Sequence, residues 1–188
     1  MNQVRKYFEQ IVELNDKDWE VFSSRLKKSN FSKKTTLLKA GQVENHLSFI
    51  EKGTVRLYIP KEENDITFGF KFENQFISAY DSFITQSKSL YQLETLTPTI
   101  LWRLTFSDLE DIYNNTAVGN IIGRKVAENL FMMKSKRKLS LLNNTAEERY
   151  LKLFSEQPRF IKEIPLKYLA SYIGITPQAL SRIRKRIS

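Results

Sequence analysis

The sequence predicts an α+β fold in which helices come first, a β-rich stretch follows, and a long helix leads to a terminal pair of short helices. Two observations carry this prediction. Apolar side chains recur at helical spacing in residues 1–30 and again from Ser107 onward, whereas residues 35–104 contain short runs rich in β-branched and aromatic side chains. We expect three parts, which are residues 1–114, 115–142 and 143–188.

The first thirty residues are expected to form helices. In "LNDKDWEVFSSRLKK", the apolar side chains of Trp19, Phe22 and Leu26 lie three and four residues apart, and Asn15 or Asp16 is available as an N-cap. This segment therefore predicts a capped amphipathic helix before the first strand.

The stretch from about 35 to 104 is expected to form strands. Runs such as "LSFIEKGTVRLYI" and "DITFGFKF" are short, and Gly, Asn, Asp and Lys separate them. Glu51-Lys52-Gly53 lies between two apolar runs and predicts a hairpin turn in which Gly53 supplies a positive φ. Several strands at this spacing indicate a β-sandwich or a barrel.

The spacing of apolar residues from about residue 118 onward predicts a helix of roughly 25 residues. One apolar stripe on it contains Val118, Ile122, Val126, Leu130 and Met133. Ala127 and Phe131 lie on another side, so we expect one face to pack on the β domain and the other on a second copy of the chain. A helix lying in a groove of its own domain is the alternative.

A second helical region begins after this long helix. Thr145 and Glu148 have the spacing of a capping box, and the helix that they begin is expected to stop before Pro158. We place the start of the C-terminal domain near residue 143.

The last segment, "YLASYIGITPQALSRIRKRIS", predicts two short helices joined by a tight turn. Pro165 suits the first turn of one helix, and Gly174 suits the left-handed position that ends it. Thr176 is then a good N-cap, with Pro177 at the first position of the next helix. Two helices joined by about three residues around a glycine form a helix-turn-helix.

The final helix has two chemically different sides. Leu180, Ile183 and Ile187 recur at a helical period, and the opposite side carries Gln178, Ser181, Arg182, Lys185 and Arg186. Amide and guanidinium groups form paired hydrogen bonds with base edges, and cationic side chains neutralise phosphates. The helix is therefore expected to enter the major groove of double-stranded DNA by its N-terminal turn.

Charge supports the same interpretation. The net charge is +9, but residues 1–118 contain 15 Lys and Arg against 16 Asp and Glu, whereas residues 119–188 contain 15 against 5. A basic excess confined to one part of a chain indicates a polyanionic partner for that part.

The composition also excludes several classes of site. The chain has no cysteine and one histidine, His46, so it offers little for a thiolate site, a histidine-based zinc site or a Ser-His-Asp triad. We expect no catalytic residues, no metal and no cofactor. We also expect no signal peptide and no membrane partner, hence a cytoplasmic protein.

Two stretches resemble the cyclic-AMP receptor protein / fumarate-nitrate regulator (Crp/Fnr) family of bacterial transcription regulators. "LLKAGQVENHLSFIEKGTVRLYI" is similar to the entry into that family's cyclic-nucleotide-binding β-roll, and "IPLKYLASYIGITPQALSRIRK" is similar to its helix-turn-helix. The resemblance implies an N-terminal β-roll, a long dimerisation helix, and a homodimer formed through residues 118–133 that reads a palindromic operator. RNA polymerase is a further expected partner.

By position, the resemblance gives the residues of the DNA site. Gln178, Ser181 and Arg182 correspond to base-reading positions. Thr176, Arg184, Lys185 and Arg186 are the expected phosphate-binding residues. Because the sequence ends soon after the last helix, where winged relatives add a β-wing, we expect these cations to substitute for the wing and to make affinity depend strongly on salt.

The sensor region departs from the family pattern. Nucleotide-binding members have a Gly-Glu pair and then an arginine, whereas no glycine occurs here between Gly69 and Gly119 and Lys88 is the only cation between Lys71 and Arg103. One ammonium without a glycine nest is a poor anion site, so we expect regulation that does not depend on cyclic AMP. An unidentified small-molecule effector remains open, and its candidate pocket residues are Glu73, Tyr80, Lys88, Ser89 and Tyr91. The alternative function is a ligand- or protein-binding β-roll module with an incidental basic tail.

Overall fold

The computed structural model describes residues 1–187 and has the predicted order of helices and strands. The helices are α1 (Asn2–Glu9), α2 (Asp16–Arg25), α3 (Tyr80–Thr85), α4 (Phe106–Asn115), α5 (Gly119–Asn143), α6 (Ala146–Glu156), α7 (Pro158–Glu163), α8 (Leu166–Ile173) and α9 (Pro177–Ile187). The strands are β1 (Lys27–Phe31), β2 (Thr36–Leu38), β3 (His46–Lys52), β4 (Val55–Ile59), β5 (Ile66–Lys71), β6 (Phe76–Ile77), β7 (Gln92–Thr95) and β8 (Thr99–Thr105). The predicted α+β class is confirmed.

The strands form two four-stranded sheets. The first has the order β1-β8-β3-β6 and the second the order β2-β7-β4-β5. In the first sheet β8 lies antiparallel to both β1 and β3, with Lys27 opposite Arg103 and Phe49 opposite Trp102. In the second, β7 lies antiparallel to β2 and β4. The chain therefore returns repeatedly across the domain, as a Greek-key type of β domain does.

The predicted hairpin turn joins β3 to β4. Gly53 has φ +110°, and a Cβ at this position would lie 2.5 Å from Thr99 Oγ1. Both the backbone conformation and the close approach of β8 thus require glycine here.

One compact unit comprises residues 1–58 and 70–128. Its core includes Val4 and Phe8 of α1, Phe22 of α2 and Phe49 of β3. The ring centroids of Phe8 and Phe22 are 4.9 Å apart, and those of Phe8 and Phe76 are 5.6 Å apart. The N-terminal helices are thus part of the β domain's hydrophobic core.

A second compact unit comprises residues 59–69, which form most of the hairpin between β4 and β5, and the chain from Asn129 onward. Its buried apolar side chains are Tyr150, Leu153, Phe160, Ile164, Leu169, Ala170, Ile173 and Leu180. The predicted capping box is confirmed, because Thr145 Oγ1 accepts from the Glu148 amide and Glu148 Oε2 accepts from the Thr145 amide.

Two short helices were not predicted from the sequence. Pro158 ends the predicted helix but also occupies the first turn of α7, where its missing N–H costs nothing. The six-residue helix α3 interrupts the β-rich stretch between β6 and β7. Among residues 1–187, none of the helices combines the length and hydrophobicity that a membrane span requires.

Candidate nucleic-acid interface

The turn between α8 and α9 has the predicted geometry. Gly174 is left-handed, with φ 87° and ψ 33°, and its amide donates to the carbonyls of Ala170 and Ser171 at 3.0 and 3.1 Å. Thr176 Oγ1 then accepts from the Ala179 amide at 3.2 Å, which caps α9. Pro165, predicted to open the first helix, lies one residue before α8 and is its N-cap.

Helix α9 is held by its apolar side. Leu180 is fully buried and Ile183 is half-buried, whereas Ile187 near the end of the helix is 37% exposed. The apolar stripe predicted from the sequence is therefore packed at its start and open at its end.

The opposite side of α9 is exposed to solvent. Gln178, Ser181, Arg182 and Lys185 are all exposed, and their spacing of three, one and three residues places them on one face. The structure thus brings the predicted base-reading residues together on a single outward surface, which we call the reading face. That they contact bases is still a prediction.

The predicted phosphate-binding residues are in different situations. Thr176 and Lys185 are exposed, although the Thr176 hydroxyl already serves as the helix cap. Arg184 is exposed, and Arg186 forms an ion pair with Glu147 of α6. Exposed ion pairs contribute little free energy, so a phosphate can compete for Arg186.

Two arginines outside the motif contact the last turn of α8. Arg137 of α5 donates through Nη2 to the Tyr172 carbonyl, and its Cζ lies 3.8 Å from the centroid of the Tyr172 ring. Arg149 of α6 donates through Nε to the Ile173 carbonyl at 2.9 Å. In the sequence Arg137 belongs to a basic cluster within residues 134–138, and nothing local marks it for a contact 35 residues away.

The hairpin between β4 and β5 contacts the same turn. Ser171 Oγ donates to the Asp65 carbonyl at 2.6 Å and accepts from the Thr67 amide at 2.8 Å. One hydroxyl thus satisfies two backbone groups of the hairpin, so that Ser171, Tyr172 and Ile173 are each bound by a different element.

The candidate effector residues Tyr80, Ser89 and Tyr91 make hydrogen bonds or ring contacts within the protein. The Tyr91 hydroxyl donates to Asp81, and burial together with this carboxylate raises the Tyr91 pKa. Ser89 is buried, and its Oγ bonds to the backbone of Tyr91. The Tyr80 ring packs 6.4 Å from that of Phe83.

The other two effector candidates lie elsewhere. Lys88 is exposed and forms a backbone bridge with Val43, while Glu73 lies in the turn between β5 and β6. The structure therefore brings the Ser89 hydroxyl to the backbone of Tyr91.

A different polar cavity, of about 380 Å³, lies beside β3 and β8. It is lined in part by Glu44, His46 and Arg103, and His46 Nδ1 lies 2.9 Å from Arg103 Nη2. Burial raises the pKa of Glu44, whereas burial and the charge of Arg103 lower the pKa of His46. His46, the single histidine of the chain, is thus a half-buried partner of Arg103.

Comparison with known proteins identifies the β domain. Residues 28–116 match the family described as the cyclic nucleotide-binding domain. No curated protein sequence matches the chain closely enough to count as a relative.

Solved structures of similar fold cover most of the chain. FixK2 from Bradyrhizobium japonicum has a TM-score of 0.72 at 16% identity, covering 86% of this chain and 84% of its own. The c-di-GMP-responsive global regulator CLP from Xanthomonas campestris has a TM-score of 0.69 at 16% identity, covering 92% and 91%. A transcriptional regulator of the crp/fnr family from Eubacterium rectale has a TM-score of 0.69 at 18% identity, covering 92% and 83%.

These comparisons agree with the architecture. The family match covers the two sheets and the helix α4, and the structural matches extend over the C-terminal helices as well. Two of these three structures are described as regulators. Residues 28–116 are thus similar to the cyclic nucleotide-binding domain family, and the chain has the fold of the Crp/Fnr regulators, as the resemblance in its sequence implied.

Proposed function

We propose that this protein is a dimeric transcription regulator that reads a palindromic DNA operator with α9. The observation that carries the proposal is the reading face, in which an amide, a hydroxyl and two cationic groups are exposed on one side of a helix whose other side is anchored by Leu180. Such a face, following a glycine turn, has the groups and the support that major-groove recognition needs.

Within this proposal the side chains have separate roles. Gln178 and Arg182 are suited to paired hydrogen bonds with adenine and guanine edges, and Ser181 bonds either type of base. Thr176, Arg184, Lys185 and Arg186 contact phosphates, which positions the helix without selecting sequence. The DNA-binding domain would comprise residues 143–188.

The long helix α5 supplies the proposed dimer contact. Val118 and Ile122 are buried, whereas seven large apolar side chains on α5 are at least 41% exposed: Ile121, Phe131, Met132, Met133, Leu139, Leu141 and Leu142. All of these except Met133 and Leu141 lie within about 100° of one another around the helix axis. Met133 was expected on the packed stripe, so that stripe is buried only at its N-terminal end. An exposed apolar stripe along a helix is a site for association with another helix. The stripe reaches Leu142, so we extend the proposed dimer segment beyond the 118–133 expected from the sequence.

We further propose that regulation does not depend on cyclic AMP. Lys88 is the single cation in the relevant stretch, and the groups around Tyr91 bond to the protein itself. A cyclic phosphate would need charge neutralisation and backbone donors that this stretch supplies poorly.

The test is selection of binding sites from random duplex DNA, followed by affinity measurements on the selected sequence. We expect a palindrome bound with nanomolar affinity, with half-sites one helical turn, about 34 Å, apart. Arg182→Ala should weaken binding to the operator by about 1–3 kcal/mol and relax the preference at one position in each half-site.

Arg184→Ala is the matched control, since it removes the same charge from the same helix. It should weaken binding to the operator and to random DNA to the same extent. It should also lower the salt slope, which is the slope of log affinity against log salt concentration, by about 1. If the wild-type protein selects no sequence and its DNA affinity does not depend on salt, the proposal is wrong and a binding module of another kind is favoured.

A further inference from the structure

The last turn of α8 is capped by two arginines that come from different helices. Arg137 in α5 donates to the Tyr172 carbonyl and stacks on the Tyr172 ring. Arg149 in α6 donates to the Ile173 carbonyl and, through Nη1, to the Asn144 carbonyl at the end of α5. The recognition helix begins four residues after Ile173, so these contacts lie immediately beside the turn that sets its direction.

The chemistry of a helix end explains why arginine is suitable here. The last carbonyls of a helix have no intrahelical partner, and the helix dipole makes this end attractive to cations. A guanidinium is planar and can stack on an aromatic ring while donating in its own plane, which an ammonium cannot do. Tyr172 offers both the ring and the carbonyl, and its ring in turn packs 5.1 Å from that of Phe160.

Arg137 is held there against an electrostatic cost. Burial lowers the pKa of its guanidinium, and the neighbouring charge of Arg149 acts in the same direction. A half-buried cation beside another cation persists only where carbonyl and aromatic contacts compensate for lost hydration. The position is therefore a specific contact rather than one more member of the basic cluster around it.

The position of Arg137 around the axis of α5 shows which side of this helix contacts α8. At about 100° per residue, Arg137 lies about 120–160° around the helix axis from Phe131, Met132, Leu139 and Leu142. Those four side chains are 54–71% exposed and form the more exposed apolar stripe, whereas Met133 and Leu141, one turn before and after Arg137, are 47% and 46% exposed. One side of α5 thus carries the proposed dimer contact, and a different side carries the contact to the end of α8.

We infer that Arg137 is a positioning residue that fixes the recognition helix to the helix through which two copies associate. In the dimer it sets the distance and angle between the two reading faces, and thereby the half-site spacing that the protein accepts. This inference rests on the proposed function. Arg149, by contrast, ties α8 to α6 and to the end of α5 within the DNA-binding domain.

The measurement is affinity for a series of duplexes in which the two selected half-sites are moved apart or together by one to four base pairs. Each added base pair rotates one half-site by roughly 35° and lengthens the gap by about 3.4 Å. For the wild-type dimer we expect at least a tenfold spread in affinity across the series. For Arg137→Met we expect a spread below threefold, with affinity for a single half-site and the salt slope unchanged.

Lys136→Met is the matched control. Lys136 is the neighbouring cation, is exposed, and forms an ion pair with Glu156 at 3.1 Å. It should keep the wild-type spacing preference although it loses the same charge. Arg137→Lys keeps the charge without the planar fork, so it should behave like Arg137→Met and also serves as the test if the methionine variant does not fold.

The outcomes separate the two proposals. If folded Arg137 variants keep the wild-type spacing preference, the positioning role is wrong while the proposed function stands. If the wild-type protein selects no operator, both are wrong. Loss of half-site affinity in step with loss of spacing preference would show a general structural role and would also overturn the inference.

Discussion

The polar groups of the segment between β6 and β7 and those of helix α9 are placed in opposite ways. In the first, the Tyr91 hydroxyl binds Asp81, Ser82 Oγ donates to the Ser87 carbonyl, and Ser89 Oγ bonds to the backbone of Tyr91. In α9, the polar side chains of the reading face point into solvent. The first segment thus pairs these hydroxyl groups within the protein, whereas α9 exposes its polar side chains.

This difference shows where a ligand would meet the least competition. A ligand binding near Tyr91 must replace hydrogen bonds that the protein already makes, and the net gain from such an exchange is small. A DNA duplex meeting α9 instead exchanges water for base edges and phosphates, with counterion release in addition. Under the proposed function, the β domain thus serves as a scaffold while α9 binds DNA.

The largest expected effect concerns the anchor of the reading face. Leu180→Ala removes a fully buried side chain, and a change of this kind costs about 2–5 kcal/mol. We expect the free energy of unfolding, measured by urea denaturation, to fall by that amount, and DNA binding to fall with it. Ile187→Ala on the same helix should cost below about 1 kcal/mol, since Ile187 is partly exposed. Equal losses in the two variants would contradict the two-sided description of α9.

The local part of this site could be predicted from the sequence. The glycine turn, the Thr176 cap and the spacing of the reading face depend on residues within four positions of one another, and such short-range preferences act in almost any surroundings. The same holds for the capping box at Thr145 and for the turn at Gly53.

The long-range part could not be predicted. Arg137 and Tyr172 are 35 residues apart, and Ser171 and Asp65 are 106 apart, so no periodicity or cap relates them. The two apolar sides of α5 were visible in the sequence, but periodicity alone does not say which side meets the rest of the chain. The structure buries Val118 and Ile122 at the start of one side, but it leaves Met133 of the same side and Phe131 of the other side exposed.

The internal hydrogen bonding of the segment between β6 and β7 can be tested at Tyr91. Tyr91→Phe removes the hydroxyl that donates to Asp81, and we expect a loss of about 1.5 kcal/mol in the free energy of unfolding, as for a hydrogen bond to a charged group. Combining it with Asp81→Asn in a double-mutant cycle should show that the two changes are not additive. Strict additivity would mean that the pair contributes nothing and that Tyr91 is open to a ligand.

A smaller effect is expected where the β4–β5 hairpin meets α8. Ser171→Ala removes the acceptor of the Thr67 amide and the donor to the Asp65 carbonyl, for which we expect a loss of about 1 kcal/mol. Hydrogen exchange at Thr67 should become faster, while exchange in β3 and β8 should not change. Unaltered protection at Thr67 would show that the hairpin is held by its other contacts.

The smallest expected effect is a pH dependence confined to the β domain. His46 is the single histidine of the chain, so no histidine of the C-terminal helices titrates between pH 5.5 and 7.5. Burial and the charge of Arg103 lower the pKa of the folded His46 below its ordinary value of about 6.5, although Asp108 acts in the opposite direction. The unfolded chain therefore binds this proton more readily than the folded chain.

The sign follows from that difference. The full stability is present above about pH 6.5, it falls as the pH drops through that value, and the loss levels off below the lowered pKa of the folded state. We expect less than about 1 kcal/mol, because the ring is only half-buried and solvent screens its charge. The measurement is the urea midpoint at pH 7.5, 6.5 and 5.5 for the wild type and His46→Gln. Subtracting the variant removes the contribution of Glu44, whose raised pKa makes stability fall as pH rises. If the urea midpoints of the wild type and His46→Gln change with pH in parallel, the folded pKa of His46 has its ordinary value and Arg103 does not oppose its protonation.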